Sequence, residues 1–164
     1  MKEKFIDAYM KTAGIFAELS TAKKLKVGAI VVKDSRIISI GYNGTPAGWD
    51  NLCEDKVYPD ALLGDFEQHP DEFEKQFPFT DENGRYQLKT KPEVMHAERN
   101  ALDKLAKGTD GGNGAYMFIT HAPCLECAKS IFGAGIKEVF YKSEYRTVDG
   151  VNFLNRCNIK VTKV

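Results

Sequence analysis

At 164 residues, 43% of them hydrophobic, the chain is long enough to bury a core without disulfide staples and fits one domain of ordinary size. Lysine plus arginine (23) balances aspartate plus glutamate (23), so no overall positive field exists to hold a nucleic-acid polymer, and a small substrate is favoured. No apolar run is long enough to span a bilayer and the opening MKEKFIDAYMK is too charged for a secretory signal, so the expected compartment is the cytoplasm, with no membrane partner.

In chain order, Phe5, Ile6, Tyr9, Met10, Ala13, Phe16, Ala17 and Leu19 recur at helical spacing, which predicts an amphipathic helix over 4–19, ending near Ser20 and Thr21. The β-branched run 27–32, a turn at Asp34 and Ser35, and a second apolar stretch over 36–40 predict a hairpin. The loop Gly41-Tyr42-Asn43-Gly44-Thr45-Pro46-Ala47-Gly48 follows, and its three glycines and one proline leave main-chain N–H groups able to approach a ligand. Over 49–95 the pattern breaks: acidic and aromatic residues mix with Pro59, Pro70, Pro78 and Pro92, and no long periodic segment appears. This stretch reads as an insertion with short helical pieces, a surface excursion whose role is mainly structural.

Beyond Pro92 the elements alternate. A helix is expected over 96–107, a glycine-rich turn over 108–114, a strand over 115–120, a helix opened by Cys124 and ended by 133–135, a strand over 137–141, a short helix near 150–156 and a terminal strand over 158–162. Strands alternating with helices predict a mainly parallel sheet covered on both faces, a three-layer α/β/α domain over 1–164 with the insertion at about 49–95.

The four cysteines are Cys53, Cys124, Cys127 and Cys157, and a close CxxC pair in a reducing compartment points to metal or redox chemistry ahead of a structural disulfide. A thioredoxin-type role competes, but His96 and Glu98 supply what zinc needs and redox exchange does not. Cys124 and Cys127 stand three apart at a helix start, so they share one face with Cβ atoms about 5–6 Å apart and can meet one ion at about 2.3 Å each. The helix N-terminus favours thiolate over thiol, and Pro123 is explained by the helix start alone.

His96 begins the other helix, so two helix N-termini are expected to face one pocket beyond the strand ends. Glu98, two residues on, does not share the helix face of His96 and belongs beside the metal's water, not among its ligands. A catalytic zinc takes three protein ligands and leaves its fourth position to water, whereas a structural zinc needs a fourth protein ligand, for which no candidate beyond Glu98 is obvious. His69 and His121 read as structural histidines, and Cys53 and Cys157 lack local ligand partners.

His96-Ala97-Glu98 followed by Pro123-Cys124-Leu125-Glu126-Cys127 is the HxE and PCxxC pattern of zinc nucleobase deaminases. Together with Lys26-Val27-Gly28-Ala29, GYNGTPAG at 41–48, His96-Ala97-Glu98-Arg99-Asn100-Ala101 and the tyrosines Tyr141 and Tyr145, it makes the chain resemble the deoxycytidylate (dCMP) deaminase family over nearly its whole length. The resemblance implies a cytidine-deaminase-like fold with a mixed, mainly parallel five-stranded sheet, and hydrolysis of dCMP to dUMP and ammonia. It implies one Zn2+ per chain on His96, Cys124 and Cys127, with Glu98 as the catalytic proton shuttle and Asn43 and Tyr145 holding the nucleotide. The substrate phosphate is expected near Ser20, Thr21, Lys24 and Lys26, which offer hydroxyls and charge.

The same resemblance implies a homo-oligomer, a hexamer by preference, activated by dCTP and inhibited by dTTP through Tyr42, Asn43, Gly44, Thr45 and Gly48, with Mg2+ accompanying a triphosphate effector. Cys53 matches one ligand of the second zinc found in some members, but Tyr86, Thr90 and Val94 offer it no histidine. The competing functions are deamination of tRNA adenosine, free cytosine or dCTP, and a non-catalytic nucleotide-binding homologue. Glu98 argues against the last, because a structural zinc has no use for a free carboxylate beside it.

Overall fold

The structure, a computed structural model, describes residues 1–59 and 70–164. The structural role expected for His69 therefore lies outside the described residues.

Helix α1 (Glu3–Glu18) turns Met10, Ala13 and Ala17 inward, as its apolar spacing requires. Strands β1 (Gly28–Lys33) and β2 (Arg36–Tyr42) form the expected hairpin. Asp34 and Ser35 close it at φ 48° and 60°, both left-handed, the two-residue turn whose twist matches the flanking strands.

Three further strands complete the main sheet: β6 (Tyr116–His121), β7 (Glu138–Ser143) and β8 (Lys160–Lys163), in the spatial order β2-β1-β6-β7-β8. Helix α3 (Ala97–Leu105) precedes β6, α4 (Leu125–Gly133) joins β6 to β7, and α5 (Asp149–Arg156) joins β7 to β8. The expected five-stranded mixed sheet is present. Its parallel pairings are β6 with β7 and β7 with β8, where a helix provides the crossover that parallel neighbours need. β1 pairs antiparallel with both β2 and β6.

Alternation along the strands assigns the two faces. Ala29 and Val31 of β1 pack with Met117, Ile119 and Val139 under α3, α4 and α5, while Ile30 and Val32 pack with Phe118 and Phe140 under α1. Phe118 and Phe140 are register partners on β6 and β7 and stack at 4.8 Å between ring centroids. Each such fully buried side chain stabilises the fold by roughly 1.5–3 kcal/mol relative to exposure.

The insertion differs from the sequence expectation. Among its described residues, beside the short helix α2 (Pro70–Gln76), it carries a three-stranded antiparallel sheet of β3 (Glu54–Val57), β4 (Phe79–Asp81) and β5 (Gly84–Thr90), in the order β3-β5-β4. These strands bury almost no side chains of their own, Leu88 excepted, so they show no apolar alternation. Cross-strand contacts hold them instead. Tyr86 packs against Tyr58 and Phe79 at 5.7 and 5.5 Å, and Lys56 pairs with Asp81. The readable sign of the β4–β5 hairpin is Asn83-Gly84, with Gly84 at φ 111°.

Candidate active site

His96 and Cys124 occupy equivalent places: each is the extended residue that immediately precedes its helix, α3 or α4, and neither side chain caps that helix. Ring and sulfur can therefore turn towards each other. His96 Nδ1 lies 3.5 Å from Cys124 Sγ and 3.4 Å from Cys127 Sγ, and the three ligand atoms all fall within 4.8 Å of one another. A tetrahedral zinc with nitrogen at about 2.0 Å and sulfur at about 2.3 Å sets those atoms about 3.5 Å apart, so the donor set fits this metal in both chemistry and spacing. Among the described residues it is the one such group of three histidine, cysteine or acidic donors.

The electrostatics agree with a cation site. Hydrogen bonding from Cys127, and then from His96, holds the Cys124 thiol down to about 3. The Cys127 thiol is pushed up by the Cys124 bond and by burial. A divalent metal binds the deprotonated thiolates and displaces the thiol protons. The His96 ring is raised, first by its bond to Cys124.

Glu98 sits in the first turn of α3, 4% exposed, and burial pushes its carboxyl up to about 7. A carboxyl that titrates near neutrality can both accept and donate a proton there. α3 is placed by close backbone contact with β2, since a Cβ on Gly41 would come within 2.1 Å of the Ala97 carbonyl oxygen. Ser39 Oγ adds a hydrogen bond to the Ala101 carbonyl at 2.6 Å.

A cavity of about 360 Å³ opens over His96, Glu98 and Cys124. Asn43 and Tyr145, the residues that the resemblance assigns to the nucleotide, line it. The Asn43 amide also ties two backbone segments, accepting from Val27 N–H at 2.7 Å and donating to the Leu25 carbonyl at 2.8 Å. Lys26 does not line the cavity; its Nζ reaches the Glu18 carbonyl at 3.4 Å, at the C-terminal end of α1, where unpaired carbonyls attract a cation. Lys24 lines it instead, with Nζ 3.1 Å from the Leu88 carbonyl.

Of the glycine-rich loop, Asn43 reaches the cavity while its neighbours serve other contacts. The Tyr42 carbonyl accepts from Asn100 Nδ2 at 2.8 Å, Gly44 forms a β-bridge with Met95, and Gly48 adopts φ 92°. Thr45 Oγ1 is buried without a hydrogen-bond partner among the described residues. His121 lines the cavity and hydrogen-bonds Thr120 through Nδ1 at 3.2 Å. Cys53 is buried 3.4 Å from Thr21 Oγ1, and neither it nor Cys157 joins the metal group.

Sequence reasoning missed two contributions to the wall. The insertion, taken as a mainly structural excursion, supplies Glu54 and Thr90 from β3 and β5, and Val94 follows them. The loop after β7 supplies Glu144 and Arg146 on either side of Tyr145. The signal for Arg146 is its adjacency to Tyr145.

Residues 3–143 match the family described as the cytidine and deoxycytidylate deaminase zinc-binding region. ComE operon protein 2 of Bacillus subtilis (strain 168) is 34% identical over 139 residues, 85% of this chain and 59% of that protein. The deoxycytidylate deaminase of Enterobacteria phage T4 is 34% identical over 149 residues, 83% of this chain and 76% of that protein. The chain therefore spans about three fifths of the Bacillus relative and three quarters of the phage T4 one. Among solved structures, the dCMP deaminase of cyanophage S-TIM5, crystallised with dCMP and dUMP, superposes with a TM-score of 0.78 at 39% identity, covering 100% of this chain and 99% of that one. From motif, fold and these matches together, the chain belongs to the cytidine and deoxycytidylate deaminase zinc-binding family.

Proposed function

We propose that this chain hydrolyses dCMP to dUMP and ammonia, using one zinc ion held by His96, Cys124 and Cys127. The observation that carries the proposal is the convergence of three donors at zinc spacing with a buried carboxyl, Glu98, lining the same cavity. The deoxycytidylate deaminase of phage T4 and the nucleotide-bound cyanophage enzyme support the choice of substrate. The residues act over 1–164 as one catalytic domain, with 49–95 inserted.

When bound, zinc supplies a Lewis acid and lowers the pKa of water at its open position towards ~7. The chain's own groups do the rest. Glu98 takes the two protons of the attacking water in turn, handing the first to N3 of the cytosine ring and the second, from the hydroxyl added at C4, to the amino group as its bond to C4 breaks. Its burial suits it to both directions of transfer near neutral pH. Asn43 and Tyr145 hold the nucleotide, and the fixed Asn43 amide gives that contact a rigid base.

The proposal extends to a cytoplasmic homo-oligomer, with a hexamer preferred, regulated by dCTP and dTTP through loop 42–48 and with Mg2+ accompanying the triphosphate. Support for the regulatory part is the bridge between Gly44 and Met95, whose two backbone hydrogen bonds of 3.1 and 2.9 Å tie the loop to the residue before His96. Among the described residues, no helix is long and apolar enough to cross a membrane.

The test is ammonia release from dCMP, dCTP, deoxycytidine, cytosine and adenosine-containing RNA by the zinc-loaded protein, with and without dCTP or dTTP. The proposal expects dCMP to be turned over in preference to the others. A preference for cytosine, dCTP or RNA, or no ammonia from any of them, rejects it.

A further inference from the structure

His121 ends β6, three residues before Cys124, and lines the catalytic cavity. Met117 and Ile119 of the same strand pack under α3, α4 and α5, and alternation carries His121 to that face, the one from which His96 and Cys124 come. Thr120 belongs to the opposite face and lines a separate groove of about 680 Å³ beside α1, which His121 also borders. The sequence alone reads His121 as a structural histidine; its hydrogen bonds say more.

Thr120 is 8% exposed, so its hydroxyl has to be satisfied within the protein. Its Oγ1 accepts from Gly28 N–H at 3.1 Å and lies 3.2 Å from His121 Nδ1. A hydroxyl has one proton, and among the described residues only Nδ1 is in reach to take it. Thr120 therefore donates to His121. An imidazole nitrogen that accepts carries no proton, so the neutral ring bears its proton on Nε2. Burial holds His121 below its ordinary value of 6.5, which keeps the ring neutral at pH 7. With Nδ1 turned to Thr120, Nε2–H is left for the catalytic cavity, where it has no partner among the described residues. Asn43, Lys24, Glu54 and Glu144 in the same wall are already bonded within the protein.

We propose that His121 donates its Nε2–H to an acceptor oxygen of the bound pyrimidine nucleotide, and that Thr120 is the positioning residue that fixes the tautomer able to do so. The opposite tautomer would present a lone pair at the same place and repel that oxygen. A ring already held at Nδ1 loses little further freedom on binding. Because the donor is uncharged and takes no part in the proton transfers of Glu98, it should serve substrate and product alike, which lowers KM without raising kcat.

The inference rests on the dCMP deaminase reading, and its test separates the two. Nitrogen-15 NMR of the zinc-loaded, histidine-labelled protein should show His121 as the neutral Nε2–H tautomer. Addition of dUMP should move the Nε2 resonance. In calorimetric titration, His121→Leu should weaken dUMP binding about 3- to 10-fold, the scale of one neutral hydrogen bond. Thr120→Val should cost part of that factor, and Thr120→Ser should restore it. The double variant Thr120→Val with His121→Leu should bind dUMP no more weakly than His121→Leu alone, whereas a merely structural Thr120 would add its own loss. In kinetics His121→Leu should raise KM for dCMP and leave kcat in place. Zinc content and circular dichroism establish that each variant is folded, and the wild-type spectra need no variant at all. If the wild type deaminates dCMP while His121 carries its proton on Nδ1, or His121→Leu binds dUMP as the wild type does, the His121 assignment is overturned and the proposed function stands. If the wild type neither binds dUMP nor deaminates dCMP, both fall.

Discussion

Gly150 and Pro123 meet backbone to backbone: a Cβ added at Gly150 would lie 2.1 Å from the Pro123 carbonyl oxygen, and 2.8 Å from the carbonyl carbon and oxygen of Cys124. The first turn of α5 is therefore pressed against the segment that carries one of the three donors. No L side chain fits there without moving the backbone of Cys124.

Gly150→Ala should accordingly cost zinc affinity as well as stability. The expected losses are about 10-fold or more in metal affinity, the scale for residues that orient ligands, and ~1–3 kcal/mol in stability from overpacking. Competition with a zinc chelator and denaturant unfolding measure the two. Wild-type zinc affinity in the variant would show that Cys124 is not positioned by this contact.

Gly14 is the contrasting case. It lies inside α1, and a Cβ there would meet nothing within 4 Å. Gly14→Ala should stabilise the protein by about 0.5–1 kcal/mol through helix propensity, with turnover unaffected. Thermal unfolding checks it.

Glu98→Gln should retain zinc, since the three donors are untouched, and lose turnover of dCMP by a factor of order ~10² or more. Cys124→Ser should instead lose the metal, seen by elemental analysis. Near-normal turnover in zinc-loaded Glu98→Gln would remove Glu98 from the mechanism.

The three-stranded sheet should be sensitive to acid through Asp81. The hydrogen bond from Lys56 holds the Asp81 carboxyl below its ordinary value of 3.8, followed by the Asn83 N–H and Tyr58 hydroxyl bonds. A depressed folded-state value gives stabilisation that is present above the unfolded value and lost as pH falls through the folded one. Hydrogen exchange in β4 and β5 should therefore accelerate selectively below about pH 4 in the wild type. Asp81→Asn should exchange faster already at pH 6 and show little further change on acidification.

Much of the fold was legible because its core follows simple periods. The run over 27–32, buried on both faces, and the helical stripe of α1 carried enough apolar signal to be read directly. The donors were legible for a different reason: CxxC spacing and an N-cap histidine constrain geometry locally. The insertion sheet was not, because a strand reading Glu54-Asp55-Lys56-Val57 draws its stability from neighbours such as Tyr86, which only the folded chain brings across. Lys24 and Lys26 stand two apart with the same charge, and only the folded loop turns Lys24 to the cavity and Lys26 to the end of α1. Gly150 gave no sign of its contact either, since the demand for a missing Cβ comes from Pro123, distant in sequence.

The central claim is that two sulfurs and one imidazole nitrogen hold one zinc and leave it open to solvent. X-ray absorption at the zinc edge tests it most directly. Two sulfur neighbours at about 2.3 Å and one imidazole nitrogen at about 2.0 Å, with one light solvent atom completing the shell, are the predicted result. A shell of four protein ligands, or purified protein whose Cys124 and Cys127 are joined as a disulfide and take up no zinc, would contradict it.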